Sequence, residues 1–248
     1  QWIYHAHPTG VVGPEHYRHQ VTELNTQLGN GEVLTEEIYI SVDPYMRINQ
    51  SLKPTYNELP HPLETVQSAG VVARVLASNV AHLRAGDVVE GLLGWQSHAK
   101  VHHSVLRKID EKWAPISTGL GVLGMPGRTA WFGLTESGRP KAGETVVVSG
   151  ASGAVGSLVV QFAKLHGCRV LAIAGGEEKC RWTREQLGAD LSLNYKAYAN
   201  ASEMSEAIKA LIGGVDVYFD NVGGVVSDAV IPLIKRRARV VICGSISQ

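Results

Sequence analysis

The stretch Thr145–Gly167, reading TVVVSGASGAVGSLVVQFAKLHG, constrains the fold more than any other part of the chain. Thr145 to Val148 is an unbroken β-branched run, which suits a strand buried on both faces of a parallel sheet. Gly150, Gly153 and Gly156 follow at intervals of three. Val155, Leu158, Val159, Phe162 and Ala163 then recur at helical spacing, and Gly167 supplies a stop. Strand, glycine turn and helix in that order form a corner able to hold phosphate: the backbone can approach an anion closely, and the helix N-terminus aims unpaired amides at it. Against the pattern G-x-G-x-x-G, Gly153 and Gly156 fill the second and third places and Ala151 stands in the first. A tight turn that binds nothing is the alternative reading.

Composition narrows the class. The 248 residues allow one large or two modest domains with real cores. A hydrophobic content of 44% and a formal net charge of zero fit a globular protein and lack the basic excess of a nucleic-acid binder. No run approaches about 18 consecutive apolar residues, so no membrane span is expected. The start, Gln-Trp-Ile-Tyr-His, has neither an initiator Met nor a signal-peptide core, which suggests that a few residues are trimmed. Cys168, Cys180 and Cys243 are widely spaced, each in a predicted regular element. They read as reduced, buried thiols of a cytoplasmic protein rather than a disulfide pair or a zinc site.

From Gln1 to about Lys112 the texture is of short β-like runs punctuated by Gly, Pro, Asn and Asp. Glu32–Val42, Gly70–Leu76, Asp87–Glu90 and Trp95–Val101 are candidate strands, with turns at Ala85-Gly86-Asp87 and Leu93-Gly94. Such a pattern predicts a small barrel or sandwich. The architecture changes near Gly121–Gly127, so we expect residues 1–120 and 121–248 to form separate domains. Ser41-Val-Asp-Pro-Tyr-Met-Arg47 breaks a strand at Asp43-Pro44, and Tyr45, Met46 and Arg47 follow where a side chain could enter a cleft; a turn with one core-packed aromatic is the alternative. His5, His7 and His102-His103 do not combine with Cys or Glu at metal-ligand spacing, and His98 and His103 read as surface residues.

After the glycine loop, Arg169–Ile173, Leu191–Leu193, Val215–Phe219 and Arg239–Cys243 read as strands. Glu177–Leu187, Ala201–Leu211 and Val225–Arg237 read as helices, the last interrupted by Pro232. This alternation predicts a doubly wound parallel sheet. Five strands are counted before Gln248 where such a sheet usually has six.

The second strand ends in Ala174-Gly175-Gly176, where an NAD site usually carries an acid for the ribose hydroxyls. A small-residue pocket admits a 2′-phosphate that a carboxylate would repel, and Lys179 lies one helical turn further on. Glu177 and Glu178 remain alternative ribose ligands, and a lysine at such a place is often only solvated. The missing acid, taken together with the family resemblance of the motifs that follow, makes NADP(H) the expected cofactor.

Five motifs occur in order: SVDPYMR (41–47), GMPGRTAWFGL (124–134), SGASGAVGS (149–157), FDNVGG (219–224) and CGSISQ (243–248). Together they resemble the zinc-independent medium-chain dehydrogenase/reductases of the prostaglandin reductase, 2-alkenal reductase and curcumin reductase branch, over nearly the whole chain. The resemblance implies an α/β protein: an N-terminal GroES-like β-barrel domain and a Rossmann domain, with the active site between them. Where zinc-using alcohol dehydrogenases carry a His-Glu pair, this chain reads Val66-Gln67, so no metal is expected. It further implies that Met125 and Thr129 lie near the nicotinamide and that Gly153, Ala154, Val155 and Gly156 hold the pyrophosphate. Gly175, Lys179 and Tyr195 would hold the 2′-phosphate end. Asn221 and Cys243, Gly244, Ser245, Ile246 and Ser247 would supply the loops against the riboses.

The family's next residues commonly read Tyr-Asn, and that Tyr contributes to its active site; the resemblance therefore implies further chain beyond Gln248. The expected activity is NADPH-dependent reduction of the C=C bond of an enal or enone, with Tyr45 as the substrate-side wall. Quinone reduction and NADPH binding without turnover are the alternatives. The expected partners are a small conjugated carbonyl compound and a second copy of the chain in a homodimer.

Overall fold

The computed structural model describes residues 1–52 and 60–247. Its contacts divide the chain into two units, Gln1–Leu120 and Gly121–Gln248.

The first unit contains β1 (Trp2–Tyr4), β2 (Tyr17–His19), β3 (Glu32–Ile40), the short helix α1 (Tyr45–Asn49), β4 (Thr65–Val66), β5 (Gly70–Ser78), β6 (Val88–Leu92), β7 (His98–His102) and β8 (Arg107–Lys108). Five of the strands form an antiparallel sheet in the order β7-β3-β5-β6-β8, and β2-β1-β4 form a smaller one. Strand β5 is buried on both faces. Val71, Ala73 and Val75 pack with Val33, Leu83, Val89 and Ala99, while Val72 packs with Val88 and Ile109 on the other side. This is the GroES-like β domain. The turn after Asp43-Pro44 tightens into α1, burying Met46 in the core and sending the Arg47 guanidinium to the Gly10 carbonyl at 3.1 Å. Of Tyr45, Met46 and Arg47, Met46 is thus taken up by the core, and Tyr45 is half-buried.

The second unit begins with α2 (Met125–Phe132) and continues through β9 (Thr145–Val148), α3 (Ala154–Leu165), β10 (Arg169–Ala174), α4 (Glu177–Glu185), β11 (Leu191–Asn194), α5 (Ala201–Ile212), β12 (Val215–Asp220), α6 (Gly224–Val230) and β13 (Ile234–Ile242). The sheet is parallel throughout, in the order β11-β10-β9-β12-β13. Alternate residues of each strand face opposite layers. Val146, Val148, Val170, Ala172, Val217 and Phe219 meet α2 and α3 on one side; Val147, Leu171, Ile173 and Tyr218 meet α5 and α6 on the other. Period-two alternation of apolar residues with helices on both faces makes a doubly wound Rossmann sheet.

One predicted element changes identity. The helix expected over 225–237 ends at Val230; Ile231–Leu233 is a tight 3-10 turn holding Pro232, and Ile234 opens β13. Proline cannot donate the amide that would continue the helix. The Lys-Arg-Arg run that follows reads as polar helix but lies on an exposed strand, with Ile234 opposite Val215.

Candidate cofactor-binding site

Strand order reverses between β9 and β12, and ligands of such sheets lie beyond the strand carboxyl ends at that reversal. Three corners converge on that edge of the second unit.

The first is the glycine loop. The turn after β9 is made by Gly150, whose φ of +58° favours glycine, so fully buried Ala151 can stand where the fingerprint has its first glycine. Gly156 is required for a different reason. A Cβ there would overlap the Gly150 carbonyl oxygen and lie 2.9 Å from Ala151 Cα, both backbone atoms that cannot swing away. Gly153 is the extended residue before α3, so Ala154, Val155 and Gly156 present first-turn amides without intrahelical partners.

The second corner is the end of β12. The Asp220 carboxylate is buried and accepts from Ser149 Oγ (2.9 Å), Val222 N (2.9 Å), Gly223 N (2.9 Å) and the Ser227 hydroxyl. Burial alone would raise its pKa; the donors Ser227, Gly223, Val222 and Ser149 outweigh that and hold it below the usual aspartate range. Asn221 closes the reversal point, its Nδ2 donating to the Ser149 carbonyl at 2.7 Å. The loop 243–247 is tied to the same place. Cys243 N and Gly244 N donate to the Asp220 carbonyl, and Ser247 donates to the Val222 carbonyl through both its amide and its hydroxyl. Asn221 and Cys243 to Ser247, nominated from separate motifs, thus form one cluster.

The third corner is the end of β10. Gly175 lies under Tyr195: a Cβ on Gly175 would sit 2.9 Å from Tyr195 Cε1 and 3.2 Å from both Tyr195 Oη and Lys196 Cε. Asn194 organises the corner, its Oδ1 accepting from Gly176 N (2.9 Å) and Lys196 N (3.1 Å) and its Nδ2 donating to Glu177 Oε1 (2.8 Å). Lys179 is exposed on α4 and makes no ion pair with a described residue. Met125 and Thr129 meet one turn apart on α2, with Thr129 Oγ1 3.5 Å from Met125 Sδ.

A glycine loop with unpaired first-turn amides after β9, and a glycine turn beneath Tyr195 and Lys196 after β10, fit a nicotinamide dinucleotide with a 2′-phosphate. The Val66-Gln67 step offers a zinc ion neither imidazole nor carboxylate. Gln67 is buried, accepting from Gln50 Nε2 at 2.9 Å and donating to the Ser68 carbonyl at 3.0 Å; amides are poor zinc ligands beside thiolate, imidazole and carboxylate. Among the described residues no group of three or more His, Cys, Asp or Glu side chains could hold a metal ion. Cys168 and Cys180 are buried and Cys243 half-buried, and burial pushes all three thiols up. Among the described residues no helix is long and apolar enough to cross a membrane.

Sequence reasoning missed Asp220, Ser149, Asn194 and Lys196. The signals were present: an aspartate closing an apolar strand, and Asn-Tyr-Lys closing another, both at strand ends where ligands bind.

Comparison with known proteins gives two family matches. Residues 1–109 match the N-terminal domain of oxidoreductases, and residues 154–248 match a family described as zinc-binding dehydrogenase. The chain is 42% identical over 247 residues to the NADPH-dependent curcumin reductase of Escherichia coli (strain K12), covering 100% of this chain and 70% of that protein. It is 42% identical over 252 residues to prostaglandin reductase 1 of Rattus norvegicus, covering 100% and 72%. The crystal structure of CurA in complex with NADPH from Vibrio vulnificus superposes with a TM-score of 0.92 at 40% identity, covering 100% of this chain and 72% of that one.

Proposed function

Because this chain belongs to the medium-chain dehydrogenase/reductase family, in the branch of the curcumin, prostaglandin and 2-alkenal reductases, we propose that it reduces the C=C bond of α,β-unsaturated aldehydes and ketones with NADPH. One observation carries the reading. The second Rossmann strand ends at Ala174 without an acidic side chain, and Gly175 follows beneath Tyr195, in a chain 42% identical to an NADPH-dependent curcumin reductase.

When bound, NADPH supplies the hydride that the substrate's β-carbon accepts, the α-carbon then taking a proton. The chain's own residues bind and orient. The backbone of Gly153 to Gly156 receives the pyrophosphate, and the α3 amides face its charge. Tyr195 and Lys179 take the adenosine phosphate, while Asn221 and the 243–247 loop, held by Asp220, take the riboses. Met125 and Thr129 are assigned to the nicotinamide end. Tyr45 is the substrate-side residue: its ring can stack on a flat conjugated system and its hydroxyl can donate to the carbonyl oxygen as negative charge develops there. No residue of the set is assigned as general acid, so solvent supplies the α-proton. Zinc independence, assembly as a homodimer and a cytoplasmic location belong to the same proposal.

The test is NADPH consumption against a panel of enals, enones and quinones. Turnover confined to enals and enones supports the proposal. Turnover of quinones alone would move the chain to quinone reduction, and cofactor binding without consumption across the panel would make it a binding protein.

A further inference from the structure

We propose that Lys196 is a second cation for the adenosine 2′-phosphate and a determinant of NADPH over NADH, alongside Lys179. The inference rests on the NADPH reading and adds a residue to it. Strands β10 and β11 pair to their last residues, Ala174 opposite Asn194, so the two turns that follow start at the same level. Asn194 Oδ1 binds both turns at once, through Gly176 N at 2.9 Å and Lys196 N at 3.1 Å. The backbone of Lys196 is thereby fixed beside the β10 terminus. Its side chain reaches Gly175: Lys196 Cε and Tyr195 Oη each lie 3.2 Å from where a Cβ on that glycine would stand.

The Lys196 ammonium is exposed and makes no ion pair with a described carboxylate. Glu177, the first-turn carboxylate of α4, is engaged by Asn194 Nδ2 at 2.8 Å. A lysine tethered at its backbone, whose side chain and a neighbouring phenol both reach the same glycine, matches a phosphate monoester: the ammonium supplies a point charge and the phenol a hydrogen bond. Lys179, by contrast, is exposed on α4.

The experiment titrates the parent chain and the variants Lys196→Gln, Lys196→Arg and Lys179→Gln with NADPH and with NADH, following the fluorescence of the reduced nicotinamide. Lys196→Gln is expected to weaken NADPH at least about tenfold while leaving NADH within about twofold, because one charge-assisted contact is lost and the rest of the site is untouched. Lys196→Arg should restore most of the NADPH affinity, and the unchanged NADH affinity serves as the control for folding. Lys196→Gln that leaves NADPH affinity unchanged, or weakens both cofactors equally, overturns the proposal. If the parent itself shows no preference for NADPH, the cofactor reading falls and this inference with it. A parent that prefers NADPH with Lys196→Gln unaffected sinks Lys196 alone.

Discussion

Replacing Asp220 with Ala should be the most damaging single change to the cofactor edge. The carboxylate satisfies two hydroxyls, Ser149 and Ser227, and two amides, Val222 and Gly223, at a site with 6% of its surface exposed. Alanine leaves the two buried hydroxyls and two half-buried amides to find other partners. Ser149 Oγ keeps Asn221 N, and Ser227 keeps the Tyr218 hydroxyl at 3.0 Å, so part of the loss is recovered. At about 1–3 kcal/mol for each donor left unpaired, and with that relief, the expected loss is about 2–4 kcal/mol. Asp220→Asn keeps the shape and can keep the three donors on one oxygen, so it should cost about 1–2 kcal/mol.

The pH dependence separates the two effects. Asp220's pKa is depressed in the folded chain, so its contribution is present above the unfolded aspartate pKa and is lost as pH falls through the folded value. Urea unfolding at pH 7 and at stepped acid pH would measure this. Asp220→Asn should flatten the acid slope relative to the parent. An Asp220→Ala variant within about 0.5 kcal/mol of the parent, the range of ordinary surface substitutions, would refute the claim that this carboxylate holds the loop together.

Glu37 carries the opposite sign: burial pushes its carboxyl up to about 8, only partly countered by the Thr35 hydroxyl, and Oε2 has no partner among the described residues. Its contribution is therefore present below the ordinary glutamate pKa and lost as pH rises through about 8, so Glu37→Gln should flatten the fall in melting temperature across that window. Gly156→Ala should cost about 1–3 kcal/mol and weaken both cofactors, since its Cβ meets backbone. Gly175→Ala meets only side chains, so it should leave the melt nearly unchanged and selectively weaken NADPH. Chelation should leave activity intact, and elemental analysis of active protein should find no stoichiometric zinc; zinc at one per chain with activity lost on chelation would contradict the amide chemistry around Gln67.

Much of the second unit was legible because its constraints are local. A β-branched run, glycines at fixed spacing and an apolar helical stripe each have one physical use, and β9, α3, β10 and β12 followed from them. Helix α6 was misjudged because Pro232 and the Lys-Arg-Arg run give no periodicity, and β13 is specified by pairing with β12. The family motifs led to the cofactor positions, yet they did not reveal why the loops hold together. Asp220 joins residues more than seventy positions apart in sequence through Ser149, and Asn194 joins turns eighteen apart; such contacts are set by strand pairing. In the first unit, Tyr45, Met46 and Arg47 all stand where a side chain could enter a cleft if Asp43-Pro44 opens a turn, and the turn alone does not say that Met46 is buried. One turn of helix buries it.

Hydride is expected at the β-carbon rather than at the carbonyl carbon. NADPH deuterated at the transferable C4 position, incubated with the protein and a simple enone, tests it directly. The expected product is a saturated ketone with deuterium at the β-carbon. Deuterium on a carbinol carbon, with the double bond intact, would contradict it.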